Sequence, residues 1–376
     1  MIDMTNAPAD RLSEQRLRAG GIVIAFLLWL VAWSVLPLLV DPEIPSDNLE
    51  QLNWALDPAW GYAKHPPFPT WILWCFERIL PAGVPLTYAL GALQVAVMLW
   101  LAWRLSRATL EGVPTWVAPV MIACITYHTN RMHYYNHNTA LMVAYAAALY
   151  SLWRAVAARG WRWWLMLGAS WGIGLLSKYQ MAVPIACNLL FLWSIRSSGA
   201  ARLLKGLVLA SLVAGIIFLP HLLWLIRHHF PSFGYASITL TADLGFVSRV
   251  HNIINFVLHQ AVRVAPMLLF LALLAMSRRR KGVSHEDFGG TAGTDDMTRR
   301  FWLIHAWGPL VLMLILALLF GVALENHWGM ASLWVLPLWL LTTGHGRRWA
   351  SLPTRSILSA ALIVQSVMIA AYAAGV

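Results

Sequence analysis

The chain has 376 residues, of which 59% are hydrophobic and only 11% charged, far from the roughly 25% charged residues of an average soluble domain. A net charge of +11 would suit a nucleic-acid partner only if the basic residues formed one patch outside a membrane. Here they stand between apolar stretches, and the three cysteines (Cys75, Cys124 and Cys187) lack metal-ligand spacing, which argues against nucleic-acid binding, a disulfide framework and a zinc knuckle alike.

In chain order, residues 1–19 form a polar segment carrying Asp3, Asp10, Arg11, Glu14, Arg16 and Arg18, which we expect in the cytoplasm. Residues 20–40 are too long and too rich in Trp for a signal-peptide core, so they read as a retained first span. Further apolar segments near 84–103, 113–127, 138–153, 161–177, 180–195, 206–225, 261–277, 301–322, 329–343 and 356–375 bring the expected number of membrane helices to about eleven. The segment 277–300, with its Gly/Thr/Asp-rich run, reads as a flexible cytoplasmic loop. No internal repeat interrupts the chain. The expected architecture is an all-α polytopic membrane protein forming a single domain over 1–376.

With the N-terminus inside, 20 of the 27 Lys and Arg residues fall on cytoplasmic segments, as the positive-inside bias requires. The other seven are Lys64, Arg78, Arg131, Lys178, Arg227, Arg249 and Arg263. They fall outside or at the outer interface, so the outer loops are where unexplained polar chemistry gathers.

The first outer loop, residues 41–83, is long enough for interfacial helices. Asp47 and Glu50, three apart, would share one helical face, with capping by Asp47 the structural alternative. Lys64 and His65 precede Pro66 and Pro67, which hold the segment stiff and extended and suit a phosphate contact. The second outer segment runs from Tyr127 to Asn138 and contains His133 and His137 at a spacing that could hold a metal on a helix, although an aromatic interfacial belt explains it as well. Lys178 breaks two apolar spans with almost no loop between them, where it either snorkels or meets an anion. Pro220 to Phe233 and Glu325 to Trp328 close two more spans at the outer face.

Taken in order, Asp47…Glu50, Gly61-Tyr62…His65-Pro66-Pro67…Trp71, Tyr135-Asn136-His137-Asn138, Gly174 to Tyr179, Pro220-His221-Leu222-Leu223-Trp224…His228…Phe230 and Asn326-His327-Trp328 resemble the motifs of the GT-C membrane glycosyltransferases. That family is related to protein O-mannosyltransferases and to the transferase that adds aminoarabinose to lipid A. The resemblance covers about residues 20–345. It implies a GT-C-like bundle with interfacial helices in the first outer loop, a polyprenyl-phosphate-linked sugar as donor, and a lipid, glycan or protein acceptor at the periplasmic face of the inner membrane.

Carried over by position, Asp47 becomes the general base or electrostatic partner, with Glu50 its neighbour. Lys64, His65 and Lys178 become phosphate contacts, and Tyr62, Asn138, Tyr179, Arg227, His228 and His327 substrate-binding positions. Two departures stand out. Many members carry two adjacent acids where this chain has Asp47-Asn48, which leaves Glu50 as an alternative acid, and the chain ends shortly after its last apolar segment, without the soluble C-terminal domain of some relatives.

The chemistry agrees with these roles. A carboxylate orients or deprotonates an acceptor hydroxyl, and cations away from bulk water stabilise a departing phosphate. A divalent metal could share that task, with Asp47, Glu50 and the His residues all possible ligands. Three other readings fit the same sequence: a secondary transporter or lipid flippase, a ligase of lipid-linked glycans or transferase of a phospho-substituent, and a non-catalytic envelope scaffold. Transporters place their charges near mid-bilayer on broken helices, whereas the candidates here lie at outer ends.

Overall fold

The computed structural model describes residues 7–240, 245–280 and 295–375, and among these it is all-α with no strand. Its helices are α1 (Ala7–Val40), α2 (Ser46–Leu56), α3 (Phe68–Ile79), α4 (Val84–Thr109), α5 (Val117–Ile122), α6 (His137–Ala157), α7 (Trp161–Ser177), α8 (Ala182–Ser194), α9 (Ala200–Arg227), α10 (Pro231–Leu240), α11 (Phe246–Arg280), α12 (Asp296–Phe320), α13 (Val335–Thr342), α14 (Gly344–Ala350) and α15 (Thr354–Ala373). Seven of them, α1, α4, α6, α9, α11, α12 and α15, are long and apolar enough to cross a bilayer. The chain is a multi-pass membrane protein.

Among the seven, α6 is the most buried and α1 the least. Helix α6 packs on α4 and α7, α7 on α9, and α8 on α12. Lipid tails are as apolar as leucine, so such contacts depend on close packing and small residues rather than on escape from water. The α7–α9 contact shows this directly: a Cβ added at Gly168 would lie 2.4 Å from the Ala210 carbonyl oxygen. Peripheral α1 is tied instead by polar groups, since Trp29 and Trp33 each donate from Nε1 to Gln365 Oε1 at 3.0 Å and Gln365 Nε2 donates to the Ala123 carbonyl at 2.8 Å. Within hydrocarbon no water is available to satisfy these groups.

Two expected spans are broken. In 113–127, Pro114 and Pro119 limit helix to α5, which gives way to a 3-10 turn at Thr126–His128. In 329–343, a 3-10 segment at Asn326–Ala331 precedes the eight-residue α13. Both pieces carry many buried residues, the one setting in which irregular backbone is tolerated at membrane depth.

The expected loop 277–300 is narrower than drawn, because α11 continues to Arg280 and Asp295 caps α12 by accepting from the Thr298 amide at 2.9 Å. Its centre, 281–294, lies outside the described residues, as does 1–6 of the N-terminal segment. Residues 7–19 continue helically into the first span.

Residues 41–83, the expected first outer loop, fold as two short helices, α2 and α3, laid over the N-terminal end of α4. A small apolar cluster of Ala55, Leu73, Leu86, Leu90 and Tyr135 holds this cap in place. The inward face of α2 is nevertheless polar, with Asn48 and Gln51 fully buried, and those two residues place the site.

Candidate active site

Asn48 fixes α2 against the second outer segment through three hydrogen bonds. Its Nδ2 donates to Thr87 Oγ1 at 2.8 Å and to the His133 carbonyl at 2.9 Å, while its Oδ1 accepts from the Tyr135 amide at 3.1 Å. Gln51, one turn on, accepts from Thr70 Oγ1 at 2.9 Å and so binds α2 to α3. A buried amide left unpaired costs more than such a bond contributes, so this polar face has a single satisfied seating. That seating turns Asp47 toward the start of α6.

There Asn136 caps the helix, its Oδ1 accepting from the amides of Asn138 at 2.8 Å and Thr139 at 3.1 Å. Its Nδ2 donates to Asp47 Oδ2 at 2.7 Å. Asp47 therefore does not cap α2, whose N-cap is Pro45. One carboxylate oxygen is oriented by Asn136, and the side chain lines a cavity of about 60 Å³ with Tyr127, Arg131, Tyr134, Asn136, Asn138, His327 and Met330.

Lys178 reaches the same wall. It is the C-cap of α7, buried, and its Nζ donates to Asn138 Oδ1 at 2.6 Å while lying 5.6 Å from the Trp328 ring centroid. An interfacial lysine that merely snorkels would keep its ammonium in water; this one is turned inward. Its field reaches Asp47, Glu325 and Lys64. His327 lies among the same cations, and burial foremost, with the charges of Lys178, Arg131 and Lys64, lowers it to about 3. His65 is likewise pulled below its ordinary value, by burial first and then by His137, Lys178, Lys64 and His327. The imidazoles here are neutral, so the positive charge of the site belongs to Lys and Arg.

The remaining expected residues divide. Glu50 does not line the Asp47 cavity and pairs with Lys64, Nζ to Oε1 at 3.1 Å. Burial lowers the Lys64 ammonium, but the hydrogen bond and charge of Glu50 outweigh it and raise the group overall. His65 packs on His137 with ring centroids 4.1 Å apart. Tyr62 stacks on Trp54 at 4.5 Å and donates its hydroxyl to the Trp54 carbonyl at 3.3 Å, a scaffolding position in this geometry.

Tyr179 donates to His221 Nε2 at 2.7 Å, and His221 Nδ1 in turn meets the Trp60 carbonyl at 2.7 Å. This relay clips the first loop to α9, where a Cβ on Gly61 would strike the Trp224 ring at 2.4 Å. Arg227 and His228 stand exposed at the end of α9 and line no part of the Asp47 cavity. His133 and His137 do not share a helical face, because α6 begins at His137 and His133 instead meets Asp41 at 3.3 Å. Among the described residues no three His, Cys, Asp or Glu side chains gather into a metal-binding group.

Asn136, Tyr127, Tyr134 and Arg263 carry the site's geometry without having been assigned roles from the sequence. For Asn136 a signal exists: Asn136-x-x-Thr139 before an apolar run is a reciprocal capping pattern. For Arg263 the signal is a bare guanidinium within an apolar span.

The Dolichyl-phosphate-mannose-protein mannosyltransferase family model matches residues 64–224. The chain is 27% identical over 225 residues to the lipopolysaccharide core galacturonosyltransferase RgtA of Rhizobium johnstonii, covering 57% of this chain and 43% of that protein. It is 23% identical over 337 residues to the lipid A galacturonosyltransferase RgtD of the same organism, covering 86% and 66% respectively. The chain thus spans less than two thirds of the length of either relative. In fold it is similar to ArnT from Cupriavidus metallidurans bound to undecaprenyl phosphate, with a TM-score of 0.66 at 16% identity over 93% of this chain and 63% of that one. The apo form of the same protein gives a TM-score of 0.62 at 18% identity.

Proposed function

We propose that the chain, whose residues 64–224 match the Dolichyl-phosphate-mannose-protein mannosyltransferase family model, is a GT-C membrane glycosyltransferase that transfers a sugar from a polyprenyl-phosphate donor to an envelope lipid. The reaction takes place at the periplasmic face of the bacterial inner membrane. The observation that carries this reading is an oriented carboxylate on the cavity wall with a buried lysine directly behind that wall: Asp47 held by Asn136, and Lys178 bonded to Asn138 two residues later, both asparagines lining the cavity. The names of the relatives, one acting on lipopolysaccharide core and one on lipid A, favour a lipid acceptor.

In this mechanism an acceptor hydroxyl lies against the free oxygen of Asp47 and attacks the anomeric carbon of the donor sugar. The new glycosidic C–O bond forms as the bond from that carbon to the phosphate oxygen breaks. The hydroxyl proton passes to Asp47 and the electron pair leaves on the polyprenyl phosphate. Lys178, with Lys64 behind it, takes up the charge of that leaving phosphate, and in a site screened from water its effect exceeds that of an exposed lysine. Asp47 is the base in this assignment, and Glu50 keeps Lys64 in place.

The test is mass spectrometry of envelope glycolipids from cells with and without the gene. One lipid lacking a single sugar residue in the deletion, restored by the wild-type gene and not by Asp47→Asn at equal membrane abundance, is the expected result. Identical glycolipids in both strains would overturn the proposal.

A further inference from the structure

The cavity wall and the residues packed behind it hold more positive charge than a departing phosphate at Lys178 uses. On the wall formed by the second outer segment, Arg131 lies over the Tyr134 ring with its guanidinium carbon 5.2 Å from the centroid. Arg263, from α11, lies over the Tyr127 ring at 5.3 Å. Tyr127, Arg131 and Tyr134 all line the Asp47 cavity. The two guanidiniums are within electrostatic reach of each other, and both act on Tyr127. Neither is ion-paired with a carboxylate among the described residues.

Two like charges brought together without a counter-ion repel, and a half-buried setting screens that repulsion less than water does. The stacked tyrosines hold the planar groups in place. A pair of pre-oriented guanidiniums is also the arrangement that grips a carboxylate or phosphate through paired N–H donors. Asp47, which faces the same cavity, would repel any further anion entering it, so a substrate carrying one needs this compensation.

We propose that Arg131 and Arg263 form a second oxyanion subsite, separate from the donor-phosphate contacts, that binds a negatively charged group on one of the reacting partners. The group is either the carboxylate of an acidic donor sugar or a phosphate on the acceptor lipid. This inference rests on the transferase reading for its choice of ligands, but its test measures binding and is independent of turnover.

The full chain, purified in lipid nanodiscs, is titrated with two short-chain prenyl-phosphate sugars, a hexuronic acid and the corresponding neutral hexose. A phosphorylated glycolipid and its dephosphorylated form are then titrated separately. The wild type should prefer the anionic member of one pair by about 10- to 150-fold, the ratio given by one or two charge-assisted contacts. Arg131→Met and Arg263→Met should each reduce that preference, and the double variant should bring it near unity. Arg263→Lys should restore only part of it, since an ammonium lacks the fork.

Preference within the sugar pair assigns the subsite to the donor, and preference within the lipid pair assigns it to the acceptor. No preference in either pair, or a preference untouched by the double variant while its thermal unfolding matches wild type, overturns the proposal. Selective binding without sugar transfer would instead contradict the transferase reading and leave the subsite standing.

Discussion

Lys178 is held between opposing influences: burial foremost pulls its ammonium down, Asp47 and Glu325 pull it up, Lys64 pushes it down, and together they leave it at about 7. The lysine therefore loses its charge as pH rises through about 7, and donor affinity should weaken across that range. Lys178→Arg should flatten the profile, because a guanidinium stays protonated, while Lys178→Met should cost about 10- to 150-fold in donor affinity through loss of a contact worth roughly 1.5–3 kcal/mol. Donor titrations between pH 6 and 9 check this; a profile unchanged by Lys178→Met would place the phosphate elsewhere. His327 gives a second pH dependence. Folded, it stays neutral down to about 3, whereas in the unfolded chain it binds a proton near 6.5. The unfolded state thus takes up protons first, and stability should fall as pH drops from about 6.5 toward 3. Purified protein should show a lower Tm at pH 5 than at pH 7.5, with the difference reduced in His327→Asn. An equal or higher Tm at pH 5 would count against a buried neutral imidazole.

Helices α2 and α3 were legible because 41–83 is too long and too polar for a connector, and the stiff Lys64-His65-Pro66-Pro67 step between them follows from the prolines alone. The breaks in 113–127 and 329–343 were not legible, since apolar content sets only whether a segment avoids water. It does not distinguish a crossing helix from irregular backbone packed inside the bundle. The pairing of Glu50 with Lys64 rather than with the cavity was also hidden, because it depends on how Asn48 and Gln51 seat α2 on its neighbours. At the α7–α9 contact the sequence shows only Gly168 and Gly172, while the structure shows what they face. Replacing Gly168 with Ala would push a methyl against the Ala210 carbonyl. Separation of the helices should cost about 1–3 kcal/mol, as overpacking of a close contact does. A thermal unfolding midpoint equal to wild type would show that the helices are not so close.

For the whole molecule, the proposed reaction needs the Asp47 cavity outside the inner membrane, the side that the distribution of Lys and Arg favours. A cysteine placed at exposed Ser46, at the start of α2, should react with an impermeant maleimide added outside the inner membrane, and one at exposed Ser197, between α8 and α9, only after the membrane is opened. The reverse pattern would put the Asp47 cavity on the cytoplasmic side and break the connection to an envelope acceptor. In the proposed reaction Asp47, and not Glu50, takes the proton as a sugar leaves a polyprenyl phosphate. The decisive measurement incubates the purified chain with radiolabelled polyprenyl-phosphate sugar and extracted envelope glycolipid and follows label into the acceptor lipid in single turnover. Asp47→Asn should bind donor but lose at least 100-fold in rate, the low end of what a positioned base contributes, roughly 10²–10⁴-fold, whereas Glu50→Gln should keep most of its rate and lose donor affinity through a displaced Lys64. Comparable rates in wild type and Asp47→Asn, with Glu50→Gln inactive, would contradict it.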